Sequence, residues 1–268
     1  MQSRKGSAFR ELLSIFLHED YRLPVLELFA FLFTASVFFA SNPLQGYNLT
    51  SIAFSYVQSA AVLPLLIFMI LIWKNIAFGL GGDFEKGVVQ TYLTYPLSRT
   101  KLLIARLVSS VLIALGVLAL AQFLGMYLVA PQFATAESGV LVFGFLTALA
   151  NPLLLTSIVL LVAVLTKQGG LSLIVGILLY FVLQFMLIII LNYAYSIQNY
   201  YLVVASFLLN PMEALQYYLN GTGGFIGTPL SVWIPNLQNV AQIVVGTYVV
   251  TGAITIAAFV WFMRRLEV

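Results

Sequence analysis

The chain has 268 residues, 62% of them hydrophobic and 8% charged, with a mean hydropathy of +1.03 and a formal charge of +3. A soluble domain carries about 25% charged residues, so this composition excludes a water-facing surface over most of the chain and leaves lipid as its solvent. Cysteine is absent, which excludes disulfides, thiol catalysis and cysteine-based metal sites.

The twelve basic residues fall in four places: 4–22, 74–106, Lys167 and 264–265. The gaps between them run over 51 residues (23–73), 60 residues (107–166) and 96 residues (168–263). A membrane crossing needs about 20 helical residues, so each gap is long enough to cross, turn and cross back. The spacing predicts an all-α integral membrane protein of six transmembrane helices, forming a single transmembrane domain over 1–268. No length remains for a separate soluble catalytic domain. The basic residues flank apolar runs, which fits topology and contact with anionic lipid; nucleic acid is not an expected partner.

In chain order, residues 7–21 repeat Phe9, Leu12, Leu13, Phe16 and Leu17 at helical spacing, with Arg10, Glu11, Ser14 and His18 elsewhere on the wheel. This predicts an interfacial helix within 1–22, broken at Pro24. No short apolar core with a small-residue cleavage site marks a signal peptide. Spans are expected at about 24–40, 52–73, 104–130, 140–165, 171–191 and 241–263. Trp73 and Lys74 read as an anchor of the second, Asn151-Pro152 as a kink in the fourth, and Arg264 and Arg265 close the sixth. Excess Lys and Arg mark cytoplasmic segments. Residues 1–22, 74–103, 166–169 and 264–268 are therefore expected inside, with both termini cytoplasmic in a cell membrane. The outside segments 41–51, 131–139 and 192–240 contain no Lys or Arg. In the last, 200–209 reads as a short helix stopped at Asn210-Pro211, and 212–219 as a second. Neither is long enough to span, and both are expected to lie in the outer leaflet or on the spans. Two sequons, Asn48-Leu-Thr50 and Asn220-Gly-Thr222, fall in outside segments.

The inside loop at 74–103 carries most of the functional signal. Gly79, Gly81 and Gly82 suit a change of direction. Asp83 suits a cap for a following helix, and Glu85 its first turn. Phe84, Val88, Tyr92 and Tyr95 form an apolar stripe, widened by Val89 and Leu93. Pro96 stops this helix. Ser98 suits a cap for the third span, whose start Arg99, Lys101 and Arg106 would hold at the headgroups. The apolar stripe must rest on lipid, on the feet of its own spans, or on a cytoplasmic partner.

Glu85-x-Gly87, nine residues to Pro96, then Leu97-Ser98-Arg99 and a basic residue at 106 resemble the type-2 ABC transporter permeases. There the stretch reads roughly E-x-G-T-x-x-x-L-L-x-x-P-x-S-R, followed by a basic residue. The six spans, the amphipathic amino-terminal helix and the broken helices before the last span are similar too. Val88 stands where the family has Thr, Tyr92 takes a leucine-like position, and Asp83 and Glu85 replace paired glutamates. The resemblance implies a permease, an exporter by family habit, with no ATPase site of its own and so not an enzyme. Its implied partners are two copies of an ATP-binding-cassette ATPase subunit, which hold ATP and Mg, and a second permease copy in a homodimer or heterodimer. Asp83, Phe84, Glu85, Gly87, Val88, Val89, Tyr92, Leu93, Pro96, Ser98 and Arg99 would form the ATPase-coupling segment. The chain has no G-x-x-x-x-G-K-[ST] loop; Gly79-Leu-Gly-Gly82 runs into Asp83, not Lys.

Mid-span polar residues are amides and hydroxyls: Gln58, Ser109, Ser110, Gln122, Asn151 and Gln184. Gln58 and Gln184 are candidates for a translocation path; the others suit hydrogen bonds between helices. Glu27 is expected near the inner end of the first span, and His18 on a polar face. A secondary transporter or channel is the alternative, but it usually needs intramembrane carboxylates or repeats, and the sequence displays neither. An intramembrane enzyme would need paired Asp, Ser/His or a metal-binding His set.

Overall fold

The computed structural model describes residues 3–22, 24–39, 49–93, 98–129, 131–220, 233 and 235–265. Among these, every regular element is helical: α1 Ser3–Asp20, α2 Val25–Phe39, α3 Leu49–Lys74, α4 Gly82–Glu85, α5 Val88–Leu93, α6 Arg99–Leu107, α7 Ile113–Val129, α8 Pro131–Ala136, α9 Ser138–Thr166, α10 Gly169–Ser196, α11 Tyr200–Leu209, α12 Pro211–Asn220 and α13 Leu237–Arg265. Two π-helical stretches, Asn75–Gly81 and Val108–Leu112, join α3 to α4 and α6 to α7.

Five helical runs are long and apolar enough to cross a membrane: Leu63–Glu85, Arg99–Leu128, Ser138–Thr166, Gly169–Ala194 and Leu237–Arg264. They match the expected second to sixth spans. The expected first span overlaps α2, whose 15 residues extend about 22 Å at 1.5 Å per residue, and α2 is not among the five runs long enough to cross. The fourth-span helix, α9, continues through Pro152.

α9 is the axis of the bundle. Its most apolar window is 72% buried, against 11% for α10 and 22% for α13, because α3, α10, α12 and α13 all pack on it. Small residues make that crowding feasible: Gly144, Ala148, Ala150 and Ala163 are buried along its length. α10 turns Ile174, Leu178, Phe181, Phe185 and Ile189 outward at helical spacing. The main core joins Phe33, Phe68, Leu71, Ile72, Leu103, Leu118, Leu155 and Phe262. A smaller one joins Val203, Phe207, Leu215, Tyr217, Val240 and Val244. Between apolar helices in lipid the hydrophobic effect gives little net drive, so packing and polar contacts set the arrangement.

The two short helices before the last span fall where the sequence places them. Asn199 caps α11 by accepting from the Tyr201 and Leu202 N–H groups at 3.0 and 3.2 Å. The break at Asn210-Pro211 strands carbonyls at the end of α11. The Asn151 side-chain amide of α9 donates to the Leu209 oxygen at 2.7 Å, and the Thr247 hydroxyl of α13 donates to the Leu208 oxygen at 2.7 Å. The α11–α12 hairpin thus packs on the spans, and Asn151 acts as the interhelical hydrogen bonder expected of it. Gln122 does the same, donating to the Phe33 oxygen at 3.0 Å.

Two expectations are corrected. Trp73 is not an interfacial anchor: it is 2% exposed, and its indole donates to the Thr156 hydroxyl at 3.1 Å. The 79–82 glycines do not turn the chain. The helix runs on through them in π form, and both Gly81 and Gly82 keep right-handed helical angles. The chain turns five residues after Gly82, at Gly87, whose φ of +69° favours a residue without Cβ.

Candidate functional site

Contacts gather the four basic segments at one end of the bundle. Glu85 meets Gly169, Phe84 meets Phe262, the Thr100 hydroxyl donates to the Met263 sulfur at 3.7 Å, and Arg106 meets the end of α1. We call this the basic end.

Because the helix does not restart at residue 83, Asp83 is an interior residue of α4 rather than its cap. Its carboxylate turns inward and accepts from Arg106 Nη2 at 2.8 Å. Nor does Arg106 lie at a headgroup: it is 2% exposed. The same Nη2 donates to Glu19 Oε2 at 3.0 Å, and Nη1 lies 3.5 Å from Asp20 Oδ1. The Phe16 ring lies under the guanidinium, 4.2 Å from Cζ to centroid, a geometry that attracts a cation to an aromatic face. A Cβ on Gly79 would come within 2.8 Å of Cζ, so bare backbone forms one wall of this pocket. One guanidinium therefore ties α1, α4 and α6 together.

Asp20 is held by hydroxyls as much as by charge. Ser109 and Ser110 both donate to its Oδ2, the latter at 3.2 Å. The Tyr21 hydroxyl donates to the Ser109 carbonyl at 2.8 Å, and Lys74 Nζ reaches the Asp20 main-chain oxygen at 3.4 Å. Burial pushes the Asp20 carboxyl up, against the opposing pull of Arg106 and the two serines. Burial also pushes the Tyr21 phenol up. Beside Tyr21, the Asn75 amide is 1% exposed and has no well-formed hydrogen bond among the described residues.

Glu85 does not serve the first turn of its own helix. Its Oε1 accepts from the Gly169 N–H at 2.9 Å, so it caps the start of α10 from another part of the chain. The backbones touch there: a Cβ on Gly81 would come within 2.6 Å of the Gly169 Cα. The 82–85 segment is thus fastened to two spans, by Asp83 to the Arg99–Leu128 run and by Glu85 to α10.

The expected single helix is two short ones, α4 and α5, separated by Lys86 and Gly87. Its apolar stripe rests on the chain itself. The Phe84 ring packs on Phe262 at 5.7 Å, Tyr92 packs on Phe16 at 5.5 Å, and Val89 is 3% exposed. Val88 is half-buried, whereas Lys86, Gly87 and Gln90 are exposed. Ser98 caps α6 as expected, accepting from the Lys101 N–H at 3.4 Å, and Arg99 follows it half-buried. Pro96 and the side chain of Leu93 lie outside the described residues, as does the side chain of Gln58. Gln184 is half-buried on α10, far along the chain from the 82–93 segment and not part of this cluster.

Sequence reasoning missed Glu19 and Asp20, and read Arg106 as an anchor. A signal was present. Arg106, Ser109 and Ser110 lie three and four residues apart, one polar stripe on an otherwise apolar run, and Glu19-Asp20 stands just before the break at Pro24.

Among the described residues the fold is all-α, with five helical runs long and apolar enough to cross a membrane. Compared with known proteins, the chain matches no family model and no curated sequence.

Proposed function

We propose that the chain is the transmembrane permease subunit of an ATP-binding-cassette exporter, and that a separate cytoplasmic ATPase drives it through residues 82–93. In this reading the protein lies in the cell membrane, α2 is the first of six spans, and the basic end and both termini are cytoplasmic. Two ATPase subunits, holding ATP and Mg, work with two permease copies. The α11–α12 hairpin lies at the outer leaflet.

One observation carries the reading. The 82–85 segment is fastened to two separate spans through Asp83–Arg106 and Glu85–Gly169, while the adjoining turn leaves Lys86, Gly87 and Gln90 exposed at the basic end. A push on that turn reaches two spans at once. An ATPase that binds two arrangements of the bundle with different affinity shifts the balance between them.

The test uses the exposed turn, since Phe84, Val89 and Tyr92 are engaged within the chain. The full-length protein is purified from its native membranes, and copurifying ATPase is detected by photolabelling with an azido-ATP. The Lys86→Glu/Gln90→Glu variant is expected to lose about tenfold of the captured ATPase, equivalent to about 1.4 kcal/mol of affinity, with an unchanged melting temperature. Equal capture by both proteins, or no nucleotide-binding subunit in either, overturns the assignment.

A further inference from the structure

The groups around Arg106 do not balance in charge. Glu19, Asp20 and Asp83 all contact its guanidinium. Among the described residues no other cation reaches these carboxylates, because Lys74 Nζ is directed to the Asp20 main-chain oxygen. The side chains of Asp20 and Asp83 are 3% and 10% exposed, against 45% for Glu19. Two buried carboxylates and one guanidinium leave an excess negative charge away from water, which is disfavoured unless a proton neutralises it.

The distances single out one acid. Asp83 and Glu19 take the short contacts to Arg106, at 2.8 and 3.0 Å, and Asp20 the long one, at 3.5 Å. Asp20 instead faces two serine hydroxyls, which donate to a carboxylate or accept from a carboxylic acid equally well. Burial favours its protonated form.

We propose that Asp20 holds a proton at neutral pH and that this proton is an interlock, keeping α1 fastened to the 82–93 segment and releasing it on deprotonation. The groups facing Asp20 are Glu19 on α1, Tyr21 just after it, Lys74 at the end of α3, Asp83 on α4, Arg106 on α6, and Ser109 and Ser110 beyond it. Nothing charged on α5 joins them; its Tyr92 packs on Phe16. When the proton leaves, three carboxylates share one guanidinium and repel one another. Two sit on α1 and one on α4, so the repulsion acts across the joint between those helices. Of the three carboxylates, Glu19 lines an open groove with Ser14, Ile15, His18, Arg22 and Tyr92 and is the cluster's contact with water. Any bearing on transport rests on the permease reading; the proton itself does not.

The experiment uses the full chain in lipid nanodiscs. Infrared difference spectra between pH about 6 and about 9 are expected to contain a protonated-carboxyl C=O band that disappears at the higher pH. The band is absent in Asp20→Asn and kept in Asp83→Asn. Spin labels at the exposed Ser14 and Gln90 give a narrow distance at the lower pH that broadens at the higher pH in the wild type. In Asp20→Asn the distance stays narrow throughout. If Asp20→Asn does not fold, Ser109→Ala supplies the test: it removes a donor to the carboxylate and moves the band's midpoint to higher pH. A wild type without the band, a band surviving in Asp20→Asn, a distance insensitive to pH, or an unmoved midpoint in Ser109→Ala overturns the proposal. None of these readings involves an ATPase, so their failure is separable from failure of the permease assignment.

Discussion

At the basic end, Arg106 gathers three carboxylates from two helices and is almost wholly buried. Midway along α9, the break between α11 and α12 is closed by neutral groups, the Asn151 amide and the Thr247 hydroxyl, each meeting a carbonyl at 2.7 Å. Both are solutions to irregular backbone within an apolar bundle, but their responses differ. A neutral hydrogen bond holds the same strength at any ordinary pH. A charge cluster changes with each proton gained or lost, and with any charge brought near it. The molecule therefore has a fixed seam midway along the bundle and an adjustable joint at its basic end.

The largest effect expected of this contrast comes from Arg106→Ala. It leaves Asp20 and Asp83 buried without their cation, and breaking such a cluster costs about 3–5 kcal/mol. Thermal melting in detergent is expected to fall steeply at neutral pH and to recover partly in acid, where the carboxylates take up protons. A pH-independent loss would remove the distinction between joint and seam. Next is Gly81→Val. The contact with Gly169 has no room for a side chain, and overpacking of this kind costs about 1–3 kcal/mol. Hydrogen exchange is expected to rise in the first turn of α10, where Glu85 loses its grip on the Gly169 N–H.

Asn151→Ala probes the fixed seam. Hydrogen bonds between spans average about 0.6 kcal/mol and reach about 1.7 kcal/mol, so its melting shift is expected to be smaller than that of Arg106→Ala and identical at acid and neutral pH. The smallest change is expected from Glu213→Gln on α12. Burial pushes the Glu213 carboxyl up, so the folded chain binds that proton more tightly than the unfolded chain does. Stability from this group is complete in acid and is lost as pH rises through the raised value. Removing the acid therefore raises the melting temperature at pH about 8 and leaves it unchanged at pH about 4.

Much of the fold was legible in the sequence because apolar length and charge spacing are properties of whole segments. The second to sixth expected spans and the break at Asn210-Pro211 all follow from such patterns. So does the cap at Ser98, which needs only a local donor and acceptor. The joint was less legible because its partners are remote in sequence. Asp83 and Glu85 were read for what they do to their own helix. In the folded chain each acts on another segment, 23 and 84 positions away. Arg106 was read as an anchor because basic residues near span ends usually are; its burial depends on α1 folding back over it. Nor does composition distinguish a π stretch from an α-helix, so the glycines at 79–82 were taken for a bend.

The Asn75–Gly81 stretch also sets the phase of everything attached to it. A π turn takes up about one more residue than an α turn, and each residue of an α-helix turns the chain by about 100°. Were that stretch to tighten into α form, α4 would rotate by roughly that angle relative to α3. Asp83 and Glu85 would then swing off Arg106 and Gly169 together. Deleting a single residue between 75 and 81 would instead let the stretch close as α-helix with Asp83 and Glu85 still in place, because the deletion removes the extra residue that the π turn holds. The stretch between Trp73 and Asp83 thus stores one spare residue in the backbone, and tightening it without shortening the chain would undo both fastenings.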